Sequence, residues 1–387
     1  MKRVALDARS ARLMKTAILA PPLTLRELNR AMLARQMLLE RAKCDVVTAV
    51  TRLAALQAQW APSPYIALWA RVRNFDRAAL WKAIEEARIV RARLMRGTLH
   101  LVAARDFYAY AVATQDLQRG AWNRLQVGRG VDPRDVARLA IAFASTPRAK
   151  EDVVAHLSER LGELGGPYRW LIWRFVSAHA DLVSAPPGGH WEYGGTDAPY
   201  VAARHWIKDG ARPPEDEASA LLIHRCVAAF GPVTLADIAK FAGQVPARIR
   251  PVLETLRPSL ATFTDPAGRL LFDLPKAPRP DADTPAPVRL LPRYDEMLIA
   301  YQHRDRVIAA PYRTRMYSKN GIIEASLLID GAVAGMWALE RTKTDAIIRI
   351  TPFRRLAATE RADATREGEM LAEFMAPEAR VTGARLS

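Results

Sequence analysis

Residues able to do chemistry are sparse along this chain and mostly stand alone. The two cysteines, Cys44 and Cys226, lie far apart without a CxxC spacing, so they suggest neither a zinc site nor a disulfide framework. Seven histidines, His100, His156, His179, His190, His205, His224 and His303, form no HxH or HExxH pair. No glycine-rich phosphate loop stands out, and neither a metal nor a dissociable cofactor is expected. Gln57 and Gln59, one residue apart, read in isolation as a polar helix end with ordinary capping hydrogen bonds. Tyr294, Asp295 and Glu296 could supply an acid, but a carboxylate pair beside Arg293 is more often a structural salt bridge.

Charge says more about the partner. The chain has 57 Lys and Arg against 41 Asp and Glu, a net charge of +16, and such an excess favours a polyanion because bound cations release counterions condensed on nucleic-acid phosphates. Part of it is local: Met1 to Lys43 holds ten Lys or Arg and three Asp or Glu. Residues 1–22 read as a disordered basic arm, since the apolar stretch Thr16 to Leu19 is too short for a secretory or membrane segment and Pro21 and Pro22 close it. Hydrophobic residues at 50% and charged residues at 25% describe a globular protein, and 387 residues exceed one ordinary core. No membrane partner is expected, the cysteine usage fits a reducing cytoplasm, and the protein is expected to act as a monomer associated with the nucleoid.

The elements that must carry these residues come in sets. Each set of three helix signals is followed by two short strand signals, the order a winged helix-turn-helix requires. In the first, Thr24 to Glu27 is a capping box, Asp45 caps a second helix expected to end near Trp60 ahead of Pro62 and Pro64, and Asp76 caps a third. Strands are expected at Ile89 to Leu94 and Thr98 to Val102, and Arg88, Arg91, Arg93 and Arg96 crowd this hairpin into a basic wing. The second set runs from Asp132-Pro133 through Lys150 to Leu161 and Tyr168 to His179, with strands at Leu182 to Ala185 and His190 to Tyr193. The third has helices at Ala218 to Ala229, Thr234 to Phe241 and Pro246 to Leu256, then strands at Leu260 to Thr264 and Arg269 to Asp273.

Beyond the proline-rich linker Leu274 to Pro287 the period becomes strand-like, with Val288 to Leu291, Ile322 to Ile329 and Ala332 to Ala338. Asp330-Gly331 marks a hairpin turn, and a charged helix at about Ala357 to Met375 closes the chain. The expected fold class is α+β, mainly α: three tandem winged-helix units over 23–130, 131–215 (with a connector) and 216–275, then a C-terminal β subdomain over 288–387.

Four separated stretches in this order, Leu53 to Trp60 (LAALQAQW), Leu94 to Val102 (LMRGTLHLV), Leu291 to Glu296 (LPRYDE) and Gly331 to Trp337 (GAVAGMW), resemble the winged-helix DNA glycosylases of the AlkZ/YcaQ group. The resemblance spans about Leu23 to Leu356. It implies a concave duplex-binding face and a catalytic motif of glutamine, apolar residue, glutamine falling on Gln57, Ala58 and Gln59. Members that keep both glutamines hydrolyse the N-glycosidic bond of N7-alkylated guanine, including nucleosides tied into interstrand crosslinks. A helix does not place residues i and i+2 on one face, so the two glutamines are expected where the helix unwinds, with Gln59, nearer Pro62, the more important. Arg91, Arg93, Arg96, His100 and Arg293 are expected to touch DNA, and Trp60 to stack on a base; for His100 a buried strand histidine is the plainer alternative.

Two other classes compete. A regulator or architectural DNA binder uses winged helices without catalysis, but the third helices carry Trp81, Lys82, Glu85 and Glu86, or Arg248, Arg250 and Glu254, with no clear base-reading set. A scaffold that binds another protein through the C-terminal subdomain is the third possibility.

Overall fold

Asp45 starts the part of the chain that carries the glutamines. In the computed structural model, which describes residues 21–115, 132–161, 172–173, 176–177, 179–194 and 198–387, its side chain caps α2 (Val46–Arg52) by accepting from the Val47 and Thr48 amides. The helix before it, α1 (Leu25–Arg35), opens on the expected capping box of Thr24 and Glu27. The basic arm expected over residues 1–22 lies, but for its last two residues, outside the described ones.

α2 ends eight residues before Trp60, earlier than the sequence suggested. Ala54 takes a left-handed φ of 65°, which turns the chain out of the helix, and Leu56–Gln57 then enters a sheet as β1. The prolines do not prevent a further helix. Pro62 and Pro64 sit in the first turn of α3 (Ser63–Trp69), where a missing amide hydrogen costs nothing. After α4 (Arg77–Glu85), capped by Asp76, come the hairpin strands β2 (Ile89–Arg93) and β3 (Leu99–Ala103), with Gln57 opposite His100 in the β1–β3 ladder.

α5 (Ala104–Thr114) leads to α6 (Pro133–Phe143), α7 (Lys150–Leu161), β4 (Leu182–Ser184) and β5 (Tyr200–Ala202). The helix expected over Tyr168 to His179 falls largely outside the described residues. The strand expected at His190 to Tyr193 is instead part of a turn-rich connection, and β4 pairs with Tyr200–Ala202. That later stretch is buried along its whole length, whereas in His190 to Tyr193 two aromatics pack onto Trp81 and Phe374. β4 meets β2 at Arg91 and Ser184, so the two hairpins form one sheet in the order β1-β3-β2-β4-β5.

A third set follows: α8 (Glu215–Phe230), α9 (Leu235–Ala242), α10 (Pro246–Leu256), and the hairpin β6 (Ala261–Thr264) and β7 (Leu270–Asp273). Thr234 and Asp237 cap α9 reciprocally, the Thr234 hydroxyl accepting from the Asp237 amide at 3.1 Å and the carboxylate from the Thr234 amide at 2.9 Å. Asp237 also accepts from the Gln302 amide at 2.8 Å, which ties this set to the C-terminal region. Thr234→Ala is expected to lower unfolding free energy by about 1–2 kcal/mol, read as a lower thermal midpoint; an unchanged midpoint would show that the cap is redundant.

The C-terminal region is a five-stranded sheet in the order β12-β11-β10-β9-β8, built from β8 (Arg289–Leu291), β9 (Ser326–Ile329), β10 (Ala332–Arg341), β11 (Asp345–Pro352) and β12 (Val381–Leu386). Between β8 and β9 lies the short α11 (Glu296–Ile299). α12 (Ala358–Met375) crosses over so that β12 runs parallel to β11. The Asp330-Gly331 turn takes positive φ at both residues, 49° and 77°, as a two-residue hairpin demands. It docks on α1: Asn29 donates to the Gly331 carbonyl at 2.8 Å, and Arg26 and Arg30 pair with Asp330. From its other end α1 reaches the third set, where Arg35 meets the buried Asp273 at 2.6 Å. The largest core cluster accordingly joins α1, α5, α8, α9 and the β8–β9 region. Among the described residues no helix is long and apolar enough to cross a membrane.

Candidate functional site

Gln57 lies on the strand β1, and Gln59 in the bend that follows it. Alternation along a strand sends successive side chains to opposite faces, and the ladder continues past β1 through the bond from the Ala58 amide to the Leu99 carbonyl at 2.7 Å. Leu56 and Ala58 accordingly point into the core. Gln59 is exposed, while Gln57 is 7% exposed and accepts from Arg96 Nη2 at 3.4 Å. The helix expected to unwind at the motif is already over before it.

Arg96 is the hub. Beyond Gln57, it donates to the Phe241 carbonyl at the end of α9 at 2.7 Å, reaches His100 Nε2 at 3.0 Å and pairs with Glu296 Oε1 at 2.5 Å. One side chain thus joins the first hairpin, the third set and α11. Its φ of 54°, and the 59° of Tyr294, put two non-glycine residues of this site in the left-handed region. Such strain costs roughly 1–3 kcal/mol and persists where the surroundings over-determine it.

His100 has no exposed surface. Its Nδ1 lies 3.0 Å from the Thr98 carbonyl and its Nε2 3.1 Å from Glu296 Oε1. Burial, reinforced by Arg96, outweighs Glu296 and holds the imidazole pKa below its ordinary value. Burial pushes Glu296 the other way, but Arg96 and His100 prevail and keep its carboxyl below the usual range. Its Oε2 is buried and takes no hydrogen bond from the described residues, an arrangement that costs roughly 1–3 kcal/mol or more for a charged group. The neighbouring Asp295 is saturated: Arg71 grips both its oxygens at 2.8 and 2.9 Å, and the Met297 amide adds a bond at 3.1 Å. The expected structural salt bridge is therefore real at Asp295.

Of the basic wing, Arg88 stays at the surface paired with Glu86, but Arg91, Arg93 and Arg96 turn toward protein partners, contrary to the sequence expectation. Arg91 is 8% exposed and reaches Ser184 Oγ and the Ala58 carbonyl, both at 3.3 Å, so it braces the seam between the two hairpins. Arg93 is half-buried, donating to Ser177 Oγ at 3.1 Å and to the Gly97 carbonyl. The wing is short and sits in the middle of a continuous sheet, which gives its arginines protein partners before solvent. His100, the plainer reading of which was a buried strand histidine, is that. Trp60 and Arg293 stay at the surface, the guanidinium 5.9 Å from the indole centroid and paired with Glu324 at 3.1 Å.

Two cations outside the expected set come into electrostatic range of Arg96: burial, then the charges of Arg304 and Arg96, lower the Lys240 amine. No local motif announces this, because the three residues come from different sets.

A family model described as DNA glycosylase AlkZ-like matches residues 50–374 of the chain. A Streptomyces sahachiroi protein named interstrand DNA cross-link repair glycosylase is 26% identical in an alignment covering 82% of this chain and 88% of that protein. The solved structure of Streptomyces sahachiroi DNA glycosylase AlkZ superposes with a TM-score of 0.76 at 20% identity, covering 95% of this chain and all of the other.

Proposed function

Because the chain belongs to the AlkZ-like DNA glycosylase family, we propose that it hydrolyses the N-glycosidic bond of N7-alkylated purines in duplex DNA, including purines held in interstrand crosslinks, with Gln57 and Gln59 as the catalytic pair. The observation that carries this is Gln57 held against Arg96 beside His100 and Glu296, with the exposed Gln59 two residues on. An N7-alkylguanine already carries positive charge and leaves readily, so the enzyme must chiefly orient a water and favour the oxocarbenium-like sugar. A glutamine carbonyl does both by accepting from the water and turning its dipole toward the developing charge.

The three helical sets are read as winged-helix units. In the first, α2, β1, α3, α4, β2 and β3 give the order helix, strand, helix, helix, strand, strand. In the third, a bridge between Val233 and Phe272 stands where the first strand of such a unit belongs. A bridge between Arg148 and Tyr200 does the same in the second. Arg293, Trp60, Lys240 and Arg304 are the proposed DNA contacts, and Arg91, Arg93 and Arg96 support the site from within.

Incubation with duplex carrying one N7-methylguanine, followed by alkaline cleavage, tests the reading. Enzyme-dependent strand breaks are expected and should persist in EDTA; binding without breaks would favour a non-enzymatic DNA binder. Affinity for random duplex is expected to fall steeply with salt, since the +16 charge acts on phosphates. A salt-insensitive affinity, or a preference of about a thousandfold for one sequence, would count for a regulator.

A further inference from the structure

We propose that Glu296 is a catalytic carboxylate of this reaction, its Oε2 accepting a hydrogen bond from the attacking water in the cleft that it shares with Gln57. This rests on the glycosylase reading above. Glu296 is 4% exposed, and its two oxygens have different lives: Oε1 is held by Arg96 and His100, while Oε2 has no partner among the described residues. Buried polar atoms without partners are rare enough to call for a reason. Asp295, one residue earlier, has none to spare, since Arg71 and the α11 amide occupy both its oxygens. Of two adjacent buried carboxylates, one serves the fold and the other keeps an acceptor free.

That acceptor belongs to a residue lining a narrow cleft with Gln57, Ser63, Arg71, Tyr294 and Asp295, which leaves about 10 Å³ for the centre of a water molecule, room for one. Glu296 and Gln57 thus line the same small space. Arg96 and His100 keep the carboxylate ionised, as a base must be. When the water oxygen bonds to C1′, the C1′–N bond breaks and its electron pair leaves with the alkylated purine, which departs neutral. The water proton passes to Glu296 Oε2 and then to solvent, so that one water is consumed and one proton released. The negative charge also faces the positive charge that develops on the sugar.

Single-turnover excision of N7-methylguanine by Glu296→Gln, beside a thermal melt and a titration with the same duplex, decides. A loss of about a hundredfold or more is expected, within the range of a general base, with folding and affinity kept. Excision within about threefold of the wild type would overturn the inference, because Gln keeps the shape and loses the base. If that variant does not fold, Glu296→Asp carries the test: it retains a charge for Arg96 and His100 but withdraws the oxygen from the cleft, and at least tenfold loss is expected on the same scale. A wild-type rate from it, or failure of both variants to fold, would leave Glu296 a structural anchor. Absence of excision by the wild-type protein would instead sink the glycosylase reading itself.

Discussion

Gln59→Ala is expected to slow single-turnover excision of N7-methylguanine by roughly a hundred- to a thousandfold, the about 2.7–4 kcal/mol that one preorganised hydrogen bond supplies in a transition state. Its exposure means that truncation removes nothing the fold needs, so the melting curve and duplex affinity should match the wild type. Gln57→Ala is expected to lose excision to a similar extent. It also frees Arg96 from an acceptor, and should carry a stability cost of about 0.5–1.5 kcal/mol that Gln59→Ala lacks. Gln59→Glu is a useful companion, since it keeps the acceptor and adds a charge that favours the cationic sugar. Near-wild-type excision by both alanine variants would remove the glutamines from the mechanism; unfolding of both would make them structural.

Loss of one partner from the Arg71–Asp295 pair is expected to cost about 3–5 kcal/mol of stability. Both side chains are at most 2% exposed and meet through two parallel bonds, so Asp295→Ala leaves a guanidinium in the interior with only the Ala67 carbonyl and Gln36 as partners. Replacing both by apolar residues of similar size, Arg71→Met with Asp295→Leu, should cost less than either single change, because the stranded charge is what is expensive. Denaturant midpoints of the two single variants and the double variant test this. A double variant whose loss equals the sum of the singles would show that packing, and not the unpaired ion, dominates.

Much of the helical frame was legible. Asp45, Asp76, Asp132 and the Thr24 and Thr234 boxes mark helix starts because a cap is a local bargain between one side chain and the next turn. Pro246 to Leu256 and Lys150 to Leu161 fall where periodicity put them, and the Asp330-Gly331 turn likewise. What failed was non-local. LAALQAQW reads as the continuation of an apolar helix, and only pairing with Leu99 to Leu101 draws its middle, Leu56–Gln57, into a sheet. β11 and β12 are recognised through their partners, as is the role of α1, whose charged face looks solvated until Asp330 and Asp273 arrive. Of the candidate site, the glutamines came from motif resemblance, and Lys240, Arg304 and the free oxygen of Glu296 came only from three dimensions. Arg91 shows the converse: a run of arginines in sequence says nothing about which way each one points.

The docking of α1 also sets a timetable for synthesis. Arg30 leaves the ribosome 300 residues ahead of Asp330, its partner, and Arg35 precedes Asp273 by 238. At about 5–20 residues per second the wait for Asp330 lasts roughly 15–60 s. Until Asp273 emerges the cationic helix has neither carboxylate to bury against, and from then until Asp330 it has only one, while the helical sets after it emerge and can begin folding. α1 is thus made long before it can be fully seated, and a ribosome stalled before Asp330 would hold a nascent chain in which one end of α1 is still undocked.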